Sequence, residues 1–291
     1  MPDAINPFDR RRLRMRRDRA VPGVAAFDFL LRGMEQDILD RLADVKRDFS
    51  NIAVLGASPG LVDALRAGNP ERLVTIDPSP RAAAAMRGVA ADEDFLPLGN
   101  ATLDLIAAPL TLQWVNDLPG CLLQIRAALK PDGFFIAAMA GGDTLTELRQ
   151  VLMQAEIETG QGADQRVSPF AGLKDAGALM QRAGFALPVI DSDTVTVTYA
   201  DLFALLRDLR GMGATNVLDG PVRFLSRQTL FRAAELYQSR FSEDGRIVAT
   251  FQMIHMAGWA PHESQQKPLK PGSASHRLAD VLGTAEIPIE R

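Results

Sequence analysis

The sequence predicts an α/β fold in which a mostly parallel sheet carries helices on both faces. Three observations support this. Short apolar runs alternate with segments of helical period, a glycine-bearing turn (Gly56-Ala57-Ser58-Pro59-Gly60) follows the first run, and an acid, Asp77, closes the second.

Taken in order, residues 26–49 place Phe29, Leu30, Met34, Ile38, Leu42 and Val45 at helical spacing, which predicts a surface helix across the core. Residues 52–55 read as a short buried strand and 61–67 as the start of a helix. The next strand is 73–76, stopped by Pro78 and Pro80. Alanine-rich 81–87 is helical by propensity. Residues 89–91 form a third strand, edged by Asp92, Glu93 and Asp94, and 103–107 a fourth. A helix over 118–129 leads to the turn Lys130-Pro131-Asp132-Gly133 and a fifth strand, 134–138.

Helices follow at 145–158 and 173–183, separated by a Gly/Gln-rich loop reaching Arg166. The alternation of Val195, Val197 and Tyr199 predicts a half-exposed strand over 189–199. Two more helices, 200–210 and 224–241, precede a strand over 247–259. That strand is expected to be antiparallel, because the helices before it read as an insertion rather than a tight crossover. The tail from Gln265 either wraps the domain or stays disordered.

Composition narrows the function classes. The 291 residues are 47% hydrophobic and 23% charged, with a net charge of -4, which argues against broad nucleic-acid coating. The one cysteine, Cys121, permits no intrachain disulfide and no multi-cysteine metal site, so a reducing compartment is expected. No apolar run is long enough to cross a bilayer, and the N-terminus lacks the apolar segment of a secretory signal. It is instead dense in arginine, with Arg10, Arg11, Arg12, Arg14, Arg16, Arg17 and Arg19. These residues read as an arm packed on its own domain, as a docking surface for an anionic partner or membrane face, or, least favoured, as a nucleic-acid contact. A cytoplasmic protein is expected, peripheral at the inner face of the membrane if the arginines dock there.

A strand, a glycine turn onto a helix and a second strand ending in an acid is an arrangement that receives an adenosine-containing ligand. Gly56 and Gly60 let the backbone approach it, and Asp77 has two oxygens to face a ribose diol. The competing reading is an ordinary strand-to-helix turn.

Further motifs run along almost the whole chain: Phe8-Asp9-Arg10, Ala91-Asp92-Glu93-Asp94-Phe95-Leu96-Pro97, Gln113-Trp114-Val115-Asn116-Asp117-Leu118-Pro119, Gly141-Gly142-Asp143-Thr144-Leu145, Val167-Ser168-Pro169-Phe170, Asp208-Leu209-Arg210-Gly211-Met212-Gly213 and Trp259-Ala260-Pro261-His262-Glu263-Ser264. On these the chain resembles class I S-adenosylmethionine-dependent methyltransferases. More narrowly, it resembles the respiratory complex I assembly factors of that fold and their bacterial relatives.

The resemblance implies a Rossmann-like sheet of seven strands, with the last antiparallel. It implies S-adenosylmethionine as cofactor and a peripheral-arm subunit of complex I as substrate or client, hydroxylated or methylated at an arginine. It divides the chain into a basic arm and helical cap (1–50), a methyltransferase-like domain (51–264) with helical insertions at 143–183 and 200–241, and an extended tail (265–291). The rival functions are a non-catalytic assembly scaffold with a degenerate pocket and a small-molecule methyltransferase.

The resemblance assigns Gly56, Ser58 and Gly60 to the cofactor loop, Asp77 to the ribose, and Asp92 or Glu93 with Leu96 to the adenine. Val54 stands where such enzymes carry an acid, and Ser58-Pro59 replaces part of the glycine turn. Asp104, Gln113, Trp114 and Asn116 are placed where the fourth strand opens to the substrate. Trp114 walls that site or simply packs, and Asn116 and Asp117 touch substrate or cap the next helix. Asp143 and Glu147 could read an arginine through a bidentate carboxylate contact, or serve as helix caps and exposed surface. No dedicated metal site is expected: His255 reads as structural, and His262 beside Glu263 does not by itself make an iron cage.

Overall fold

The arginine-rich N-terminus folds into a helix because Asp9 caps it, its carboxylate accepting from Arg12 N at 2.8 Å. In the computed structural model, which describes residues 6–160, 162–221, 223–266, 280 and 283–284, this helix is α1 (Arg10–Ala20). The chain divides into a unit over Met1–Pro261 and a second over His262–Arg291. The tail predicted for 265–291 falls almost wholly outside the described residues.

A 3-10 stretch (Val21–Ala26) joins α1 to α2 (Phe29–Asp44), which buries Leu30, Met34 and Ile38 on one stripe, as its period predicts. Then follow β1 (Asn51–Leu55), α3 (Pro59–Ala67), β2 (Arg72–Asp77), α4 (Pro80–Ala85), β3 (Val89–Ala90), β4 (Leu103–Pro109), α5 (Leu118–Ala128) and β5 (Leu129–Ala140). The second half contributes α6 (Thr146–Glu158), α7 (Leu173–Arg182), β6 (Ala186–Tyr199), α8 (Leu202–Gly211), α9 (Arg227–Arg240), β7 (Ser242–Glu243) and β8 (Arg246–Trp259).

The sheet runs β3-β2-β1-β4-β5-β8-β6, with β7 paired on β8. β1 to β5 are mutually parallel, and β8 runs antiparallel to both β5 and β6. The path holds the seven strands expected, and among the described residues two-residue β7 is added off it, turned back onto β8 at Asp244 and Gly245, both at positive φ. A second difference lies at Lys130–Gly133. The predicted turn is carried inside β5 as a bulge: register passes from Leu103↔Leu129 to Leu105↔Phe134, and Asp132 takes φ 63.

Alternation along the central strands divides the core. Ile52, Val54, Leu105, Ala107, Ile136 and Ala138 pack with α2 on one face. Ala53, Leu55, Ile106 and Phe135 pack with Leu122 and Ile125 of α5 on the other. Each fully buried aliphatic side chain contributes about 1.5–3 kcal/mol. Cys121 lies in this second layer, where burial pushes its thiol pKa up, in keeping with an inert apolar residue.

Candidate functional site

The site forms where β1, β2 and β4 end. Gly56 turns away from β1 at φ +88, and its N–H donates to Ile76 O at 2.7 Å. A Cβ there would stand 3.1 Å from Thr111 Cβ, so both the backbone angle and the space call for glycine. Asp77 ends β2 and is buried. Its Oδ1 accepts from Ser79 N at 2.7 Å, and its Oδ2 from Ala57 N at 2.9 Å and Arg17 Nη1 at 3.0 Å.

Beside these tips lies a cavity of about 470 Å³, within the usual range for small-molecule sites. Gly56, Ala57, Asp77, Thr111, Gln113 and Trp114 contribute to its wall, with an apolar body that includes Leu30, Leu209, Phe251 and Met253.

Helix α1 reaches over the strand ends with two arginines. Arg17 Nη2 donates to Thr111 Oγ1 at 3.1 Å, and Thr111 in turn donates to Glu93. Arg10 donates through Nε to Asp92 at 3.1 Å and through Nη1 to Trp114 O at 2.6 Å, and Nη2 forms an ion pair with Glu93. Glu93 is fully buried. Burial opposes the charge on Arg10, but Glu93, Asp92 and Asp94 outweigh it and hold its pKa above the ordinary value. Asp92 also pays a burial penalty, which the hydrogen bond and charge of Arg10 overcome, leaving its pKa lowered. Of the three readings of the arginine-rich segment, the arm packed on its own domain is the one the structure displays.

The glycine turn has a second acid, brought from another element. Glu35 of α2 accepts from Ser58 Oγ at 2.6 Å and Gly60 N at 3.1 Å, placing a carboxylate at the start of α3. Pro59 sits in the first turn of that helix, where a missing N–H costs nothing. Ser58 and Gly60 therefore face Glu35 rather than the cavity, and a Cβ on Gly60 would lie 2.4 Å from Glu35 Oε2. Glu35 thus supplies a carboxylate to the turn itself, and it is not among the residues lining the cavity.

The remaining predicted residues separate. Trp114 lies on the cavity wall, its ring edge-on to Phe8 and Phe170 with centroids 5.8 and 5.6 Å away. Gln113 also faces the cavity. Asn116 exchanges hydrogen bonds with the backbone of Phe8, at 2.9 and 3.1 Å, and so pins the arm. Asp117 caps α5 through Gly120 N at 2.9 Å. Leu96 packs into the α5-side core, and its N–H donates to Gln124 at 2.9 Å. Asp143 is exposed next to cavity-lining Thr144. Glu147 is buried, with its carboxylate on Thr250 N (3.2 Å) and Thr250 Oγ1. Asp104 is corrected: it sits at the opposite end of β4, bonded to Asn51 N at 2.8 Å and paired with Lys130 at 2.9 Å.

Comparison with known proteins decides the family. Residues 54–137 match the model described as "Methyltransferase domain". The rat protein named arginine-hydroxylase NDUFAF5, mitochondrial, is 39% identical over 96% of this chain and 85% of its own. This chain belongs to the arginine-hydroxylase NDUFAF5 family. A malonyl-[acyl-carrier protein] O-methyltransferase of Laribacter hongkongensis is 30% identical over 82% of this chain and 86% of its own. A phosphoethanolamine N-methyltransferase of Haemonchus contortus, at TM-score 0.50 and 13% identity over 86% of this chain and 60% of that one, shares the fold.

Membership in the NDUFAF5 family corrects the predicted compartment. The rat, zebrafish, mouse and human relatives, spanning almost the whole chain, are mitochondrial by name, against the cytoplasmic placement read from the sequence. Among the described residues no helix is long and apolar enough to cross a membrane. Arg10, Arg17, Thr111 and Glu35 are the site residues that sequence reasoning missed. Glu35 left one signal: it follows Met34 and precedes Ile38 on the buried stripe of α2, where a lone acid needs a partner.

Proposed function

We propose that this chain modifies an arginine side chain on a protein subunit of respiratory complex I, by hydroxylation, in the cavity at the strand tips. One observation carries the reading: Asp77 on the cavity wall already holds a guanidinium, Arg17 at 3.0 Å, and next to cavity-lining Trp114 a second, Arg10, is held by Asp92 and Glu93. A planar guanidinium suits paired carboxylates, so the cluster has the chemistry to read an incoming arginine. The family's name, arginine-hydroxylase, points the same way.

The same cavity fits S-adenosylmethionine in size and in its apolar walls, with Asp77 the partner for the ribose diol and Gly56 leaving room at the turn. Diol binding requires Arg17 to leave Asp77 Oδ2, because Ala57 N already uses part of that oxygen. Bound there, the cofactor supplies an electrophilic methyl group and an adenosine body. Trp114 walls the substrate side, and Asp143, exposed beside Thr144, meets the substrate's charge. Glu147 braces α6 against β8 through Thr250. Oxygen insertion at the arginine would consume one O2, two electrons and two protons and release one water, so it would need an oxygen-activating cofactor and a reductant besides S-adenosylmethionine, while these side chains bind, orient and desolvate the guanidinium.

Peptide mass spectrometry of complex I subunits from cells with and without this chain tests the proposal. An arginine gaining the mass of one oxygen only when the chain is present, and losing it with Asp77→Asn, is the expected result. Unchanged arginine masses in both would overturn it. A methyl increment on a carboxyl of a carrier-bound acyl chain would support the second reading, methyl transfer, which the likeness to the malonyl-carrier enzyme favours.

A further inference from the structure

Away from the strand tips, β6 and β8 carry a polar cluster that the cavity does not use. His255 of β8 lies between Ala138 of β5 and Asp191 of β6 in the sheet register. It is 2% exposed, and among the described residues neither ring nitrogen has a hydrogen-bond partner. Leaving such a group unsatisfied is costly, so a buried, unpartnered imidazole calls for an explanation.

Its surroundings are acidic. His255 Nε2 is 3.5 Å from Asp193 Oδ2 and 4.0 Å from Asp37 Oδ2. One ligand atom from each of Asp191, Asp193 and His255 lies within 4.8 Å of the others. Arg41 of α2 donates to both oxygens of Asp191 at 2.7 Å, fixing that carboxylate while its remaining lone pairs stay available. Three carboxylates thus face one guanidinium and one imidazole.

We propose that Asp191, Asp193 and His255 bind one divalent transition metal ion, with Asp37 as a further donor and Arg41 as the brace of Asp191. Two carboxylates and an imidazole suit Zn²⁺, Mn²⁺ or Fe²⁺, with donor bonds of roughly 2.0–2.2 Å. Closing the present spacing to that length needs a rotation of Asp193, whose side chain is 67% exposed and free to turn. The ion offsets the excess negative charge and gives His255 the partner it lacks. It also ties β6, β8 and α2 together. On α2, Asp37 lies two residues beyond Glu35, which holds the glycine turn. On β8, Met253, two residues along the same strand face, lines the cavity.

The test titrates the full chain with Mn²⁺ alone, followed by electron paramagnetic resonance, and reads the histidine ring protons by NMR. Uptake of one ion per chain is expected, broadening His255 rather than His262 or His276. Asp193→Asn, at an exposed side chain, weakens uptake at least roughly tenfold, the cost of losing even an outer-shell partner. Absence of saturable uptake in the native chain, wild-type affinity in Asp193→Asn, or broadening centred on another histidine would each overturn the site.

Discussion

At the end of β2 and just beyond β3, Asp77, Asp92 and Glu93 all meet a guanidinium from α1. Along β6 and β8, by contrast, Arg41 alone serves Asp191 while Asp193, Asp37 and the buried ring of His255 surround it. The two regions share one sheet and similar acids, yet satisfy them differently. The first set is neutralised in cis by planar, forked cations, which is why its geometry suits arginine. The second lacks enough cations, which is why its geometry suits a metal ion. The lesson is that an acidic cluster is defined by what already balances it, and that balance comes from elements distant in sequence.

The comparison breaks most visibly at Arg10. Replacing it with alanine leaves fully buried Glu93 with the Thr111 hydroxyl and with Arg17 at 3.6 Å but without its closest cation, and removing one partner of a buried pair costs about 3–5 kcal/mol. Urea unfolding should show that loss. A cost under about 1 kcal/mol would mean that the arm does not balance the cluster.

Arg17→Ala should cost less, about 1.5–3 kcal/mol for a charge-assisted bond. Millimolar methylguanidinium should restore part of it by refilling the place beside Asp77. Rescue that persists in an Arg17→Ala, Asp77→Asn double variant would place the added cation elsewhere.

The smallest effect concerns pH. Asp92 has a folded pKa below its ordinary value of 3.8, so its contribution is full above that value and is lost as pH falls through the depressed one. Because Arg10 also bonds Trp114 O, tryptophan fluorescence should report the loosening of α1 in that acid window. Arg10→Ala should flatten the transition, and an unaltered transition in that variant would assign it to other carboxylates.

Much of the fold was legible because its signals are local. Period 3.6 in α2, the short apolar runs of β1 and β2, and Asp77 at the end of β2 all arise within a few residues. The capping role of Asp117 was among the readings for the same reason. The bulge at Lys130–Gly133 was not legible, since turn residues inside a strand look like a turn until the register with β4 is known. Nor was the balance of the site: Arg10 and Asp92 stand 82 residues apart, Ser58 and Glu35 23 apart, and no spacing rule links them. Ser58 stood only as a replacement within the glycine turn, and its hydroxyl points at Glu35 of α2, an acid 23 residues away.

Calorimetric titration of S-adenosylmethionine into the native chain and into Asp77→Asn tests whether the strand-tip cavity holds the cofactor through Asp77, with circular dichroism to verify that the variant keeps its fold. Saturable one-to-one binding by the native chain is expected, weakened roughly tenfold or more in the variant, as losing a hydrogen bond to a charged group implies. No binding heat from the native chain, or equal affinity in both, would contradict it.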